Sequence, residues 1–273
     1  MPFKPLQRLR RPQLSAELAG ELRSPPPWMY PWELAAGVEV PLVAPELPSV
    51  HATRRELIEP VVREALERAG PEPAVLDLGC NEGWFAHLAL EWGATRVVGL
   101  DVRETNIRRA ELVRDHFGID GKRLRFAQAD VFALDPAQLG EFDVVLVLGL
   151  IYHLENPIGA LRVARALTRG TVVVESQLTA HAGEIPLGWG ETGVFRQATG
   201  HWATVLEPAV EQDDDGNTLA SFGGVLSLVP NAAALLEAIG VVGFRDARML
   251  DAASHLNAQY VQGHRGIAVG RAA

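Results

Sequence analysis

The chain has 273 residues, 48% of them apolar, which is enough for one sizeable core and makes a second core unexpected. Its formal net charge of −9 excludes the basic surface that a protein coated with nucleic acid requires. The only cysteine, Cys80, cannot form an internal disulfide, and no segment has the length and uniform apolarity of a membrane span. We therefore expect one α/β domain with an N-terminal extension, located in the reducing cytoplasm and not in a membrane.

The first 49 residues differ in composition from the remainder. Ten of the 18 prolines lie at or before Pro48, and they break any long helix or central strand. This composition predicts an arm that wraps the domain formed by residues 50–273. Trp28, Tyr30 and Trp32 suit the wall of a substrate pocket, and the alternative is that they fasten the arm to the domain surface.

The next predicted elements are a helix, a strand, a tight turn and a second helix. Residues 56–69 have apolar side chains at helical spacing, residues 74–78 form an apolar run with β-branched residues, and residues 83–92 return to helical spacing. In the turn between strand and helix, glycine lets the backbone approach a ligand closely. The amides at the start of the helix can then bind an anionic group.

The spacing of the glycines in this turn argues against a dinucleotide-binding site. A dinucleotide fingerprint has glycine at the first, third and sixth positions, where this chain has Gly79, Asn81 and Trp84. Two of the three positions do not match. What remains is Asp77 two residues before Gly79 and Gly83 four residues after it. Asparagine at position 81 tolerates a left-handed backbone, so the turn is preserved.

The following segments predict the rest of a sheet. Residues 96–101 form a strand that ends at Asp101, whose carboxylate can accept hydrogen bonds from both hydroxyls of a ribose. Further strands are predicted over residues 122–129, 141–149 and 171–175, and the last two have the apolar character of strands buried on both faces. With a helix over residues 157–167, strand and helix alternate five times. This order predicts a doubly wound, mostly parallel sheet with right-handed crossovers.

The C-terminal segments complete the predicted sheet with seven strands. Residues 231–239 are predicted as the last helix, with Asn231 as its N-cap. Residues 243–250 form the sixth strand, and residues 259–269 form a final antiparallel strand inserted beside it.

Over about residues 70–270 the chain resembles the class I S-adenosylmethionine-dependent methyltransferases. The blocks 77–85, 149–157 and 229–235 look most like the branch that contains the tRNA wobble-uridine carboxymethyltransferase and related small-molecule O-methyltransferases. The resemblance implies a Rossmann-like methyltransferase fold, S-adenosylmethionine as the methyl donor, S-adenosylhomocysteine as the product and no metal.

The resemblance also implies the donor site. Asp77 is expected to face the methionine end of the donor, and Asp130 the amino group of the adenine. The full set of expected donor-binding residues is Asp77, Gly79, Cys80, Asn81, Gly83, Asp101, Val102, Asp130, Val131 and Gly149. In the carboxymethylating enzymes a basic cluster with lysine and tryptophan, before the first strand, grips the extra carboxylate of a modified donor. This chain has His51, Arg54 and Arg55 there, which favours the unmodified donor.

The expected catalytic residues follow the fourth strand. The sulfonium already activates the methyl group, so the protein has to align an acceptor, exclude water and, for a hydroxyl, remove a proton. Tyr152 and His153 come directly after that strand, at the sheet edge where ligands bind. We expect His153 to act as the general base and Tyr152 to shape the methyl site. The alternative for His153 is a structural hydrogen bond.

Residues 177–229 are predicted as a substrate lid with a hairpin turn at Asp215 and Gly216. Trp189, His201 and Trp202 are its candidate substrate contacts. The favoured function is methylation of a small-molecule acceptor, most simply at a hydroxyl. The alternatives are modification of a tRNA base, for which a local basic patch would suffice, and a nucleotide-binding oxidoreductase or silent partner subunit. The arm and the inserted hairpin are compatible with a homodimer.

Overall fold

A computed structural model describes residues 13–180, 200–206, 221–222 and 226–273. The helices are α1 (Ala16–Glu21), α2 (Leu47–Ala69), α3 (Trp84–Trp92), α4 (Glu104–His116), α5 (Pro136–Leu139), α6 (Pro157–Leu167), α7 (Ala232–Val241) and α8 (Ala258–Val261). The strands are β1 (Ala74–Leu78), β2 (Arg96–Asp101), β3 (Leu124–Gln128), β4 (Phe142–Leu148), β5 (Thr168–Gln177), β6 (Trp202–Leu206), β7 (Leu226–Pro230), β8 (Phe244–Met249) and β9 (Arg265–Ala272). Short 3-10 turns occupy Val131–Ala133 and Ile151–His153.

Seven strands form one sheet in the order β3-β2-β1-β4-β5-β9-β8. The first five are parallel, and β9 is inserted antiparallel between β5 and β8. The predicted doubly wound sheet with an antiparallel last strand is therefore confirmed. Strand order reverses between β1 and β4, and a crevice for ligands is expected at that point of such a sheet.

The two faces of the sheet bury alternate residues of each strand. Val75 of β1 packs with α2, α3 and α4, whereas its neighbour Leu76 packs with α6 and α7. All seven residues of β4 are buried, as a central strand covered on both faces requires. The carboxyl ends of the strands are thereby held by two cores and present a rigid edge.

Two predicted element boundaries, the start of the helix before β1 and the start of the final strand, were wrong. Helix α2 begins at Leu47 and not at residue 56, so the expected boundary after residue 49 falls inside a helix. Pro48 is tolerated because its missing N–H lies in the first turn, where that group has no intrahelical partner. The final strand begins at Arg265, since Asn257 caps the short helix α8 by accepting a hydrogen bond from the backbone of Gln259.

A second sheet pairs β6 with β7 in antiparallel orientation. This agrees with the hairpin predicted inside the insertion, although the turn at Asp215 and Gly216 lies outside the described residues, as does Trp189. Among the helices that the structure describes, none combines the length and apolarity needed to cross a bilayer.

Candidate active site

A cavity of about 490 Å³ lies at the carboxyl ends of β1 to β4. On the sheet side it is bordered by residues that follow each strand, among them Gly79, Asp101, Asp130 and Gly149. The opposite wall comes from α2 and the N-terminal segment. The cavity is therefore at the crevice that the strand order predicts.

The loop after β1 and the end of β2 are joined by the Asp101 carboxylate. Its Oδ2 accepts a hydrogen bond from the backbone of Asn81 at 2.8 Å, and Asn81 adopts the left-handed conformation (φ +50°) expected of it. Oδ1 accepts from the backbone of Arg103 at 2.9 Å and from Asn106 Nδ2 at 3.0 Å. About one of the four lone-pair sites of Asp101 is left for a ligand hydroxyl, so we expect one ribose hydroxyl to bind it and not both.

Asp77, near the end of β1, supplies a second buried carboxylate close to this loop. Its side chain is buried, and Oδ2 has no hydrogen-bond partner in the part of the chain that the structure describes. Burial, and then the nearby charge of Asp101, raise the pKa of Asp77 to about 7. A buried carboxyl without a partner is costly, and a cationic ligand group is the natural complement to it.

Gly149, directly after β4, leaves room where the cavity is narrow. A Cβ at this position would lie 3.1 Å from Arg54 Nη2 and 3.4 Å from the hydroxyl of Tyr152. Its φ of +77° is also one that side-chain-bearing residues rarely adopt. Any larger residue would fill the space between β4 and the opposite wall.

The expected donor-binding residues divide into two sets. Those that border the cavity are Gly79, Asn81, Asp101, Val102, Asp130, Val131 and Gly149. Asp77, Cys80 and Gly83 are not among the residues that border it, and they support the loop from behind. Asp130 also caps the Val131–Ala133 turn, since its Oδ1 accepts from the backbone of Phe132 at 2.9 Å.

Tyr152 and His153 both border the cavity from the Ile151–His153 turn. The hydroxyl of Tyr152 lies 3.4 Å from Arg265 Nη1, and the guanidinium lies 5.6 Å from the centre of the Tyr152 ring. His153 Nδ1 lies 3.3 Å from Ser221 Oγ. The structure thus brings both expected catalytic residues to the cavity and places one nitrogen of His153 against a serine.

A buried ionic cluster on the β5 side was missed by the sequence analysis. The carboxylate of Glu175 is fully buried and accepts hydrogen bonds from Arg54 at 2.7 Å, Tyr260 at 2.8 Å and Arg265 at 2.9 Å. Burial alone would raise the pKa of Glu175, but the charges of the two arginines hold it below its ordinary value. The sequence did contain one signal: Glu175 lies near the end of an apolar strand, and ligands bind at the edge of the sheet where parallel strands end.

Two of the expected substrate contacts fasten the N-terminal arm instead. Trp28 is fully buried under the guanidinium of Arg109, 4.7 Å from its ring centre, and Trp32 packs edge to face on His87 at 5.0 Å. Neither is among the residues that border the cavity. Their neighbour Tyr30 does border it, so of the three aromatic residues predicted for the pocket wall Tyr30 is the one that lies at the cavity.

His201 and Trp202 also lie away from the cavity walls. The backbone nitrogen of His201 donates to Asn231 Oδ1 at 3.1 Å, and the Asn231 nitrogen donates back to the His201 carbonyl at 2.8 Å. Trp202 packs against the core between the sheet and α7. These residues therefore join β6 to the start of α7, and the structure gives no support to substrate contact by either.

Comparison with known families decides the class of the protein. Residues 50–214, more than half of the chain, match the family model described as "Methyltransferase domain". The chain belongs to this family. The match covers the loop after β1, the Asp101 end of β2 and the Tyr152–His153 turn. As a methyltransferase of this family, the protein uses S-adenosylmethionine as its donor, as the sequence analysis predicted.

Curated relatives of this methyltransferase include the tRNA U34 carboxymethyltransferase of Actinobacillus succinogenes, 30% identical over 66% of this chain and 47% of that protein. The enzyme of the same description from Helicobacter acinonychis is 28% identical over 38% of this chain and 42% of that protein. This chain thus spans about half the length of the curated relatives it matches.

Solved structures extend the likeness to almost the whole chain. The N-terminal domain of EvdMO1 with S-adenosylhomocysteine bound is 25% identical, with a TM-score of 0.62 over 94% of this chain and 95% of that one. Magnesium protoporphyrin IX methyltransferase of Synechocystis, also with the product bound, shares the fold at 15% identity, with a TM-score of 0.53 over 85% and 89% of the two chains.

The described residues fit such a donor. Among the described residues, Asp77 has a carboxylate oxygen without a hydrogen-bond partner, and Asp101 can accept one further hydrogen bond. Gly149 leaves space where a side chain would obstruct the cavity. When bound, the donor supplies a methyl group that is already activated by its sulfonium. The chain's own groups are left to orient an acceptor and to exclude water.

Proposed function

We propose that this methyltransferase acts on the hydroxyl group of a small-molecule acceptor. The observation that carries the proposal is that Met29, Tyr30 and His51, from the N-terminal segment and α2, border the same cavity as Gly149. Tyr30 and His51 are buried, so an acceptor bound beside them would be enclosed. Such an environment suits a compact organic molecule, since small-molecule sites are concave and mostly apolar.

The N-terminal segment that supplies Met29 and Tyr30 is held in place by a buried ion pair between Glu82 and Arg109. Glu82, in the loop after β1, accepts hydrogen bonds from the backbone nitrogens of Met29 and Tyr30, and its partner Arg109 also donates to the carbonyl of Pro26 at 2.6 Å. Arg109 and Glu82 are both fully buried. The N-terminal segment is therefore built into the site as a fixed surface.

Two further observations favour a small acceptor. The net charge of −9 is unsuited to a large nucleic-acid footprint. A related protein, the N-terminal domain of EvdMO1, was crystallised in the presence of S-adenosylhomocysteine and D-fucose, at 24% identity to this chain. We infer that hydroxylated molecules of about monosaccharide size are the first acceptors to test.

The roles of the groups follow from their positions. Gly149 leaves space in the cavity beside the hydroxyl of Tyr152, and an acceptor oxygen would be accommodated there. Removal of bulk water by the arm strengthens the electrostatic contacts inside the cavity. His153 borders the same cavity and remains a candidate for the proton acceptor under this proposal.

A second candidate is carboxymethyl transfer to a tRNA uridine. It is favoured by the curated relatives and by the two arginines, Arg54 and Arg265, that share a single buried carboxylate, Glu175. The resulting excess of positive charge would suit a donor that carries an extra carboxylate. Binding of this second donor and salt-dependent binding of tRNA are the properties that distinguish the two candidates.

The proposal is tested first by measuring ligand binding and then by identifying the labelled product. Calorimetry with S-adenosylmethionine, S-adenosylhomocysteine and NAD should show binding of the first two only; binding of NAD alone would support the oxidoreductase alternative. The protein is then incubated with methyl-labelled donor and either a small-metabolite extract or bulk tRNA. Label in a small molecule, located by mass spectrometry at an oxygen, supports the proposal, whereas label only in tRNA rejects it in favour of the second candidate.

A further inference from the structure

His51, on α2, has a fixed tautomer. Its Nε2 lies 3.1 Å from the backbone carbonyl of Met29. A carbonyl only accepts hydrogen bonds, so Nε2 carries the hydrogen and Nδ1 keeps its lone pair. Within the described part of the chain, Nδ1 is buried and has no hydrogen-bond partner. The imidazole is only 1% exposed, yet it borders the cavity.

The surroundings keep this imidazole neutral. Burial, and then the positive charges of Arg54 on the same helix and Arg265 on β9, lower the pKa of His51 well below its ordinary value. The Tyr30 ring of the arm lies 4.4 Å away and the Trp84 ring of α3 lies 5.9 Å away. His51 therefore presents an unprotonated nitrogen throughout the physiological pH range.

His51 lies near the part of the cavity that Gly149 and Tyr152 border. Arg54 follows it by one helical turn on the same face of α2, and Arg54 Nη2 lies 3.1 Å from the point where a Cβ of Gly149 would be. Tyr30 and Met29, which contact His51, border the same wall. His51 is therefore one helical turn from Arg54, the residue whose guanidinium lies beside the space at Gly149.

We propose that His51 is the general base of the methyl transfer and accepts the proton of the acceptor hydroxyl at Nδ1. This inference rests on the proposed O-methylation. The acceptor oxygen forms a bond to the methyl carbon, the carbon–sulfur bond breaks with its electron pair staying on sulfur, and the hydroxyl proton moves to Nδ1. The proton then passes to water when the product leaves, which returns the imidazole to its neutral form.

A weakly basic imidazole suffices for this step. An oxygen that has begun to bond a methyl group gains positive charge, so its proton becomes strongly acidic and a modest base takes it late in the reaction. The lowered pKa has a compensating benefit, because it keeps the lone pair at Nδ1 available at neutral pH. By contrast, Nδ1 of His153 is already within 3.3 Å of Ser221 Oγ.

The substitution His51→Gln tests the role of Nδ1 separately from that of Nε2. The glutamine amide reaches the Nε2 position and can still donate to the Met29 carbonyl, but it offers no basic atom at Nδ1. We expect kcat with the acceptor found in the labelling experiment to fall about 10² to 10⁴-fold, the usual worth of a general base, with affinity for S-adenosylhomocysteine unchanged.

The matched control is His116→Gln on α4. His116 Nε2 makes the same kind of contact, 2.8 Å from the Leu34 carbonyl of the arm, but His116 is not among the residues that border the cavity. It should keep wild-type kcat. A His51→Gln variant with wild-type kcat, or a loss of turnover in His153→Gln alone, would overturn the proposal.

A measurement on the wild-type protein covers the case in which no variant folds. Two-bond ¹H–¹⁵N spectra with S-adenosylhomocysteine added should show His51 Nδ1 without a proton from pH 5.5 to 8.5. A protonated Nδ1 anywhere in that range would reject the assignment. Failure to bind S-adenosylhomocysteine would instead count against the proposed function, while the tautomer of His51 could still be read from the same spectra.

Discussion

The backbone nitrogen of Tyr30 donates a hydrogen bond to the carboxylate of Glu82 over 3.2 Å, and this contact joins the N-terminal arm to the loop after β1. The two residues are 52 positions apart, and both are buried. Because Tyr30 contacts His51 and borders the cavity, the loop after β1 also positions the part of the cavity wall that the arm supplies. The loop and this wall are thus connected through the Glu82 carboxylate.

Replacement of Glu82 by glutamine should weaken both stability and turnover. The amide keeps an oxygen that can accept a hydrogen bond, but it loses the charge that pairs with Arg109. Loss of charge-assisted hydrogen bonds inside a protein costs about 1.5–3 kcal/mol each, so urea unfolding should show a decrease of this order. The Michaelis constant for the acceptor should rise more than that for the donor. Equal stability of wild type and variant would show that the arm is held by its apolar contacts alone.

Arg109 is the cation on which the arm depends. It is fully buried and donates to Glu21 at 2.8 Å and to Glu82 at 3.2 Å. Arg109→Ala leaves the buried Glu82 without its cation and Glu21 with only the exposed Arg108, and it should lower the free energy of unfolding by about 3–5 kcal/mol.

The neighbouring substitution Arg108→Ala provides the control. Arg108 also pairs with Glu21, but its side chain is 52% exposed, and exposed pairs contribute only about 0–1 kcal/mol. Denaturant melts of the two variants should therefore differ by several kcal/mol. Similar losses for both would mean that burial does not determine the strength of this cluster.

The sequence predicted the parts of this molecule that depend on local chemistry. Apolar runs such as the one in β4 identify buried parallel strands, and Asn81 identifies the turn after β1. The Glu175 cluster was not predictable in the same way, since Arg54 and Tyr260 are 206 positions apart and meet only through the folded sheet. The same holds for Glu82, whose partners in the arm follow no local pattern. Long-range ion pairs leave no periodic signal, so they have to be read from the structure.

Gly83 is required by a close approach. A Cβ at this position would lie 2.5 Å from the ring of Phe126, which is itself buried, and the φ of +75° disfavours other residues. Gly83→Ala should therefore combine backbone strain with overpacking and destabilise the protein by about 2–4 kcal/mol. It should also displace the loop that carries Asn81.

The control Gly118→Ala isolates the contact with Phe126. Gly118 has a comparable φ of +65°, but a Cβ there would meet no atom within 4 Å. Only the backbone strain of about 1–2 kcal/mol should appear in its thermal or denaturant unfolding. If Gly83→Ala loses no more than Gly118→Ala, the ring of Phe126 moves aside without cost.

Asp77 should make stability depend on pH in a defined direction. The pKa of Asp77 is raised from 3.8 to about 7 in the folded protein, so between these values the folded state holds a proton that the unfolded state has released. Stability therefore falls as pH rises through this window and becomes constant above it. Asp77→Asn stays neutral and removes this contribution. Urea unfolding should show the variant and wild type converging near pH 4, with the variant more stable at pH 8.

The same carboxyl should give donor binding the opposite dependence on pH. We expect Asp77 to face the ammonium of the donor in its ionised form, in which case binding below pH 7 has to release its proton. Affinity for S-adenosylhomocysteine should rise as pH increases, by up to about tenfold per unit below pH 7, and then level off. Calorimetry in buffers of different ionisation enthalpy will show proton release at pH 6 and little at pH 8. A flat affinity from pH 5.5 to 8, or an Asp77→Asn variant with wild-type affinity, would show that Asp77 does not face the amino-acid end of the donor.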